Sequence, residues 1–253
     1  MRRLSRRTTR WLALEPDSLE DLGPWYHRID LGDGRVTPGK RDQRLVFNIY
    51  EPYLPKDLSG LRVLDLGANA GGMTVEFAAR GARVLAVDYN MTYLGQAEYV
   101  IREMGLQNLV ELKRDDVFGC YDLGRRFDVV CFLGLSYHLR YPQLALDMIS
   151  RLCRGKLLVS SQTAPLDGLL AENRSSRLTE RELGELSGYE PTEELFLEMI
   201  AHAGFRDPQL VSTAPHPGEA PGIVCGNRSY FIADSAIKPR PLPFTRDWSK
   251  SRP

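Results

Sequence analysis

Short apolar runs alternate with longer amphipathic segments between Arg62 and Gln162, and this alternation constrains the fold more than any other feature. The apolar runs are continuous, whereas a half-exposed strand would alternate apolar and polar residues. Continuous runs are typical of parallel strands whose two faces are both covered by helices. The order of strands and helices therefore predicts an α/β fold built on a doubly wound, mostly parallel, Rossmann-like sheet of seven strands.

The individual elements follow from the same patterns. Strands are predicted at Arg62–Leu66, Arg83–Asp88, Val110–Lys113, Phe127–Leu133, Lys156–Ser160, Gln209–Ser212 and Ser229–Ala233. Helices are predicted at Gly72–Arg80, Met91–Met104, Pro142–Leu152 and Thr192–Ala203. Gly105 and Gly204 mark two helix ends, Pro142 lies in a first helical turn, and Thr192 is a predicted N-cap.

The chain is predicted to hold one ligand-binding domain with extensions at both ends. We expect a basic tail over residues 1–23, a lid or cap segment over 24–60, and the domain itself over 61–235. An insertion is expected at about 163–190 and a proline-rich tail at 236–253. Five arginines and no acid lie within the first ten residues, so this tail is either a solvated segment or a contact for nucleic acid or another polyanion.

Charge and cysteine content narrow the class of protein. The formal net charge is zero, with 33 basic and 33 acidic residues, whereas proteins that grip a nucleic-acid backbone usually carry a basic excess. A net charge of zero does not exclude a local basic patch. None of the four cysteines forms a C-x-x-C pair, so no metal site is predicted. The cysteines are scattered, and the sequence shows neither a secretory signal nor an apolar stretch long enough to span a membrane. These features predict a cytoplasmic protein.

A loop of small residues, Gly67-Ala-Asn69-Ala-Gly71, follows the first predicted strand. Such residues let the backbone approach a ligand closely, at the strand end where open α/β sheets bind ligands. The spacing differs from the G-x-G-x-x-G of dinucleotide-binding proteins, and Asp65 just before it would repel a pyrophosphate. The cationic sulfonium and amino group of S-adenosylmethionine (SAM) suit that acid. The loop therefore favours SAM over a dinucleotide.

Further acids follow the next two strands. Asp88 closes the second strand, where a carboxylate can accept hydrogen bonds from both ribose hydroxyls; the alternative role is a helix cap. Asp116, or its neighbour Asp115, follows the third strand and is predicted to accept from the adenine amino group, with a solvated turn as the alternative. The adjacent residues Tyr89 and Val117 are also predicted to contact the cofactor.

The fourth strand leads into the predicted catalytic residues. Leu133 and Gly134 are expected to line the cofactor, and Tyr137 and His138 to face the transferring methyl group. His138 is a candidate general base because the ordinary pKa of histidine, about 6.5, suits chemistry near neutral pH. The alternative is a histidine that only bonds to the backbone. In-line methyl transfer depends above all on alignment of the reacting groups.

The stretch from Arg62 to Gln162 resembles the class I SAM-dependent methyltransferases. The residues that carry this resemblance are Asp65, Gly67, Asp88, Asp116, Tyr137 and His138. The resemblance implies the methyltransferase version of the Rossmann-like fold, SAM as the cofactor and methyl transfer as the reaction.

Three motifs give a narrower resemblance, to the tRNA wobble-uridine carboxymethyltransferases and their uncharacterised relatives. The motifs are Trp25-Tyr-His-Arg-Ile-Asp30, Gly34-Arg-Val-Thr-Pro-Gly39 and Gly134-Leu-Ser-Tyr-His138. In the tRNA-modifying members, the tyrosine of the Tyr-His pair and an upstream lysine hold a carboxylated SAM. Tyr137 matches that tyrosine, whereas His27 or Arg28 occupies the approximate place of the lysine.

This departure, together with the missing basic excess, leads us to predict a relative that uses ordinary SAM on a small-molecule acceptor. Trp25, Tyr26, His27 and Arg28 are predicted to cover the cofactor or substrate as a lid, or else to belong to the core. The alternatives are a tRNA wobble-uridine (carboxy)methyltransferase and a non-catalytic SAM- or nucleotide-binding module. Neither the atom that is methylated nor the oligomeric state follows from the sequence.

Overall fold

A computed structural model describes residues 19–163, 190–214 and 227–235. The first eighteen residues of the predicted basic tail, most of the predicted insertion and the proline-rich tail lie outside these described residues. The chain divides into two compact units between Asp116 and Val117. No helix in the described ranges is both long enough and apolar enough to cross a membrane.

The bounds of the regular elements are as follows. The first unit contains β1 (His27–Arg28), β2 (Arg41–Asp42), α1 (Gln43–Tyr50), β3 (Arg62–Leu66), α2 (Gly72–Ala78), β4 (Arg83–Asp88), α3 (Met91–Glu103) and β5 (Val110–Arg114). The second contains β6 (Phe127–Leu133), α4 (Pro142–Leu152), β7 (Cys153–Thr163), α5 (Glu193–His202), β8 (Arg206–Ala214) and β9 (Asn227–Asp234). Short 3-10 turns lie at Glu20–Leu22, Glu51–Tyr53, Phe118–Asp122 and Ser136–His138.

The strands β3 to β9 belong to one seven-stranded, mostly parallel sheet, which confirms the predicted α/β fold. In the first unit, β4 lies between β3 and β5 and pairs with both in parallel. In the second unit, β7 pairs in parallel with β6 and antiparallel with β9, which pairs antiparallel with β8. The carboxyl ends of β3, β4 and β5 therefore share one edge of the sheet.

The core lies along the strands that were predicted from continuous apolar runs. Val63 and Leu64 on β3, Ala86 on β4 and Phe132 on β6 are fully buried. Cys131 is buried beside Phe132, where it packs as a small core residue. Burial on successive residues requires cover on both faces of the sheet, and this is why these strands lack an apolar–polar alternation.

Helix ends agree with the capping residues. The Thr192 side chain accepts a hydrogen bond from the amide of Leu195 and caps α5, as predicted. Gly105, with φ of 69°, follows the end of α3, and Pro142 begins α4. Helix α2 ends at Ala78, two residues before the predicted end at Arg80, because the chain turns there towards Gly81, whose φ is 89°.

The strands at the far end of the second unit are longer than predicted. Strand β7 covers Cys153–Thr163 instead of Lys156–Ser160. Its polar end pairs with β9 through Gln162 opposite Arg228 and Thr163 opposite Asn227. Pairing with a neighbour thus sets the length of β7, and hydropathy marks only its apolar centre. The short parallel pair β1–β2 was not predicted.

Candidate functional site

The loop after β3 is bound to the end of β4. Gly67 and Gly71 have φ of 71° and 79°, and Asn69 has φ of 49°, a left-handed conformation that favours glycine and, after it, asparagine. The amides of Gly67 and Ala68 both donate to the Val87 carbonyl, at 2.9 and 3.0 Å. The backbone of the loop therefore lies beside the residue that follows Val87.

That residue is Asp88, whose carboxylate connects two loops. One oxygen accepts from the amide of Asn69 at 2.8 Å and the other from the amide of Asn90 at 2.9 Å. Asn90 caps α3 by accepting from Thr92, so the alternative role of Asp88 as the helix cap does not apply. A carboxylate has about four acceptor positions, so the two amides leave Asp88 capacity for two ligand hydroxyls. Burial raises its pKa.

Asp65, near the end of β3, is the second buried acid of the first unit. One of its oxygens accepts from the Thr74 hydroxyl at 2.6 Å, which connects β3 to α2. The pKa of Asp65 is raised to about 6, chiefly by burial; the hydrogen bond from Thr74 lowers it, and the negative charge of Asp88 adds to the rise.

Neither buried acid has a cationic side chain within ion-pair distance among the described residues. Two uncompensated carboxylates at one sheet edge are unfavourable unless a ligand brings hydrogen-bond donors and positive charge. The amino group and ribose hydroxyls of SAM provide both, so Asp65 and Asp88 fit that ligand.

His27 connects the N-terminal segment to the start of α2. Its Nδ1 atom accepts from the amide of Gly72 at 3.2 Å, a first-turn N–H with no partner inside the helix. The ring is buried, and this burial lowers its pKa to about 3, so the ring is neutral as an acceptor at Nδ1 requires. A Cβ at Gly72 would lie 2.9 Å from Nδ1, so glycine permits the contact.

A second connection holds the N-terminal segment to α3. The buried Gln96 amide donates to the carbonyls of Leu22 and Pro24, at 3.1 and 3.0 Å. The indole N–H of Trp25 donates to the carbonyl of Leu19 at 2.7 Å. Trp25 is half-buried and is therefore held by its own segment.

The remaining predicted lid residues have more open surroundings. Tyr26 and Arg28 are exposed, on either side of the buried His27. The guanidinium of Arg41 lies 5.6 Å from the centre of the Tyr26 ring. A contact of these side chains with substrate stays a prediction.

The two acids after β5 differ in exposure. The Asp115 carboxylate is 2.5 Å from the Lys113 ammonium, whereas Asp116 is exposed and its amide donates to Asp115. The contact of Asp116, or of Asp115, with the adenine amino group stays a prediction. Of the adjacent predicted contacts, Val117 is buried and the Tyr89 side chain is 68% exposed.

In the second unit, the end of β6 is fixed to β7. The amide of Gly134 donates to both the carbonyl and the hydroxyl of Ser160, at 3.1 and 3.0 Å. Leu133 and Gly134 are half-buried. In the turn that follows, Tyr137 is half-buried and His138 exposed, with ring centres 4.2 Å apart. The predicted catalytic pair is therefore placed together on a turn held by β7.

Arg228 was missed by the sequence analysis. Its Nη2 atom donates to the Tyr137 hydroxyl at 2.5 Å, across 91 positions of the chain. The one signal in the sequence is an arginine two positions before the apolar run Tyr230–Ala233. Thr74, the partner of Asp65, was also missed, because nothing in a helical threonine indicates that it faces a strand.

An apolar pocket of about 390 Å³ lies between the 3-10 turn Phe118–Asp122 and α4. Its size is within the range of small-molecule sites. The residues that line it are Phe118, Tyr121, Tyr141, Leu144 and Met148. Tyr121 and Tyr141 are both more than half exposed.

Parallel strands with two buried acids near their carboxyl ends, beside a loop of small residues, agree with the site expected for a class I SAM-dependent methyltransferase. Residues 39–207 match the family model described as a methyltransferase domain. The chain belongs to this methyltransferase family.

Individual relatives agree with this assignment. A probable fatty acid methyltransferase of Mycobacterium tuberculosis is 30% identical over 104 residues, which are 40% of this chain and 24% of that protein. The N-terminal domain of EvdMO1, solved with S-adenosylhomocysteine (SAH), has a TM-score of 0.63 at 21% identity, over 86% of this chain and 94% of that one.

A second solved structure has the same fold. Magnesium protoporphyrin IX methyltransferase from Synechocystis PCC 6803, solved with SAM, has a TM-score of 0.55 at 18% identity, over 77% of this chain and 79% of that one. The match to the curated mycobacterial relative spans only about a quarter of that protein, so its acceptor is not transferred with the fold.

Proposed function

We propose that this enzyme transfers the methyl group of SAM to a small-molecule acceptor. The observation that carries this proposal is the open apolar pocket of about 390 Å³ in the second unit, which offers an organic ligand an apolar surface to pack against. A formal net charge of zero gives no general attraction for nucleic acid. The fatty acid named for the mycobacterial relative is also a small molecule.

The first unit supplies the residues proposed to bind SAM. Asp88 accepts from the ribose hydroxyls, Asp65 attracts the amino group, and the backbone from Gly67 to Gly71 packs against the ligand. Asp116 accepts from the adenine amino group. SAM supplies an electrophilic methyl group on a positively charged sulfur. Alignment of the acceptor with that methyl group is the main task left to the protein.

The second unit supplies the residues proposed to act on the acceptor. His138 is exposed on the turn after β6, where it can take the proton that an O, N or S acceptor loses. The hydroxyl of Tyr137, bound to Arg228, orients the acceptor.

A tRNA wobble-uridine carboxymethyltransferase is the second candidate. The hydrogen bond from Arg228 to Tyr137 favours it, because a cation beside this tyrosine also suits a carboxylated SAM. Against it, the approximate place of the family's lysine is taken by a buried, neutral His27 and an exposed Arg28.

Transfer of a labelled methyl group distinguishes the two candidates. The full chain is incubated with methyl-labelled SAM and either total tRNA or a deproteinised small-molecule extract. We expect label in the extract and none in tRNA, with no transfer by an Asp88→Ala control. Label in tRNA alone would contradict the proposed acceptor class.

The affinity for SAM is expected to fall as the pH drops below about 6. The pKa of Asp65 is raised to about 6, and a positively charged ligand binds better to the ionised carboxylate. At pH 5 about one tenth of such groups are ionised, so binding should be about tenfold weaker than at pH 7. The raised pKa of Asp88 acts in the same direction.

Calorimetric titration with SAM across this pH range measures the effect. Asp65→Asn should bind more weakly at pH 7, with a smaller dependence on pH. A wild-type affinity that stays constant from pH 7 to pH 5 would exclude a charged contact with Asp65.

A further inference from the structure

Arg228 is a buried cation that has no charge partner among the residues that the structure describes. Its side chain is on β9 and the residue is 7% exposed. No acidic side chain of the described residues lies within ion-pair distance of it. A guanidinium has five N–H donors; Nη2 donates to Tyr137, and Nε is buried with no partner in the described part of the chain. Burial of an uncompensated charge is costly.

The surroundings of Arg228 are built around its guanidinium. A Cβ at Gly134 would lie 2.5 Å from Nη1, and the φ of Gly134 is 64°, so glycine gives the guanidinium room beside the end of β6. The guanidinium carbon lies 5.1 Å from the centre of the Tyr137 ring, within the range of a cation–π contact. These contacts hold Arg228 beside the turn that carries Tyr137 and His138.

The acid at the start of α5 has other partners. The carboxylate of Glu193 accepts hydrogen bonds from the hydroxyls of Ser229 at 2.5 Å and Thr213 at 2.7 Å. Glu193 makes no ion pair with Arg228. Ser229, which is fully buried, also lies 2.8 Å from the Thr163 hydroxyl. This acid therefore connects α5, β8 and β9 and provides no charge partner for Arg228.

We propose that Arg228 and Tyr137 form a binding site for a carboxylate carried by the acceptor. A guanidinium binds a carboxylate through two parallel hydrogen bonds, and the Tyr137 hydroxyl is a further donor. Ordinary SAM carries no anionic group at its methyl end, so the anion belongs to the acceptor. This inference rests on the proposed function and narrows the acceptor to an organic acid.

The first test uses a small-molecule extract and the wild-type full chain. The extract is separated by anion exchange at neutral pH, and each fraction is assayed with methyl-labelled SAM. We expect label in the retained, anionic fraction, and loss of acceptor activity when the carboxylates of that fraction are converted to methyl esters beforehand. Activity confined to the neutral fraction, or unaffected by esterification, would overturn the carboxylate site.

The second test uses variants with that same fraction. Arg228→Met is expected to raise the KM for the acceptor at least tenfold, as for loss of a charge-assisted pair, while the affinity for SAM stays within about twofold. Arg228→Lys should recover part of the loss, and Tyr137→Phe should cause a smaller one. Arg154→Met, which removes a surface arginine paired with Asp128, is the matched control. An unchanged KM in Arg228→Met would overturn the site.

The donor is the other possible source of the carboxylate. Wild type and Arg228→Met are titrated with SAM and with carboxylated SAM. Equal or tighter binding of ordinary SAM by wild type supports the acceptor as the source. A tenfold preference for carboxylated SAM that disappears in Arg228→Met would overturn that assignment. Label in tRNA would refute the proposed acceptor class, whereas label in neutral small molecules would refute only the carboxylate site.

Discussion

Replacement of Asp88 by alanine is expected to weaken SAM binding by about two orders of magnitude. The ribose hydroxyls would lose a charged acceptor, and hydrogen bonds to charged groups contribute about 1.5–3 kcal/mol each. The amides of Asn69 and Asn90 would also lose the oxygens that now accept from them, so the loops would be less well ordered. Calorimetric titration with SAM at pH 7.5 measures the loss.

Two variants control for indirect effects. Asp88→Asn keeps one oxygen acceptor but places an NH2 group against a backbone amide, so its affinity should fall almost as far. Asp128→Ala removes a carboxylate from β6 that is paired with Arg154, and it should bind SAM as wild type does. Wild-type affinity in Asp88→Ala would exclude the proposed ribose contact.

Replacement of His27 by alanine is expected to lower the free energy of unfolding by about 1–3 kcal/mol. The amide of Gly72 would lose its acceptor, and a cavity would form between the N-terminal segment and α2. Because Gly72 directly follows the predicted SAM-binding loop, SAM should also bind more weakly. Urea denaturation and SAM titration measure the two effects separately.

Asparagine at position 27 provides the matched variant. Its amide oxygen can take the place of Nδ1, so His27→Asn should recover much of the SAM affinity that His27→Ala loses.

The pH dependence of stability gives a further check, because the pKa of His27 falls from 6.5 to about 3 on folding. Below pH 6.5 the unfolded ring takes up a proton that the folded ring does not, so wild type loses stability as the pH falls. His27→Asn should lack that part of the loss, and equal stability of all three proteins would contradict the role assigned to His27.

The sequence predicted the strands that are buried on both faces. The bounds of β3, β4 and β6 agree with the predicted segments to the residue, because burial demands an unbroken apolar run whatever the neighbours are. The same rule placed Asp65 and Asp88 at one edge of the sheet, since parallel strands bring their carboxyl ends together. Both acids could therefore be predicted from local spacing.

What could not be predicted depends on pairing between distant parts of the chain. Arg228 meets Tyr137 across 91 positions and His27 meets Gly72 across 45. No periodicity in the sequence specifies that β9 lies beside β7, or that a histidine near the N-terminus accepts from the first turn of α2. The bounds of β7 follow from the same pairing with β9.

Titration calorimetry of the full chain with SAH, and separately with NAD, tests the assignment of the donor site most directly. One molecule of SAH per chain should bind at neutral pH, with affinity lost in Asp88→Ala, and NAD should produce no heat of binding. Saturable NAD binding without uptake of SAH would show that the two buried acids serve a different ligand.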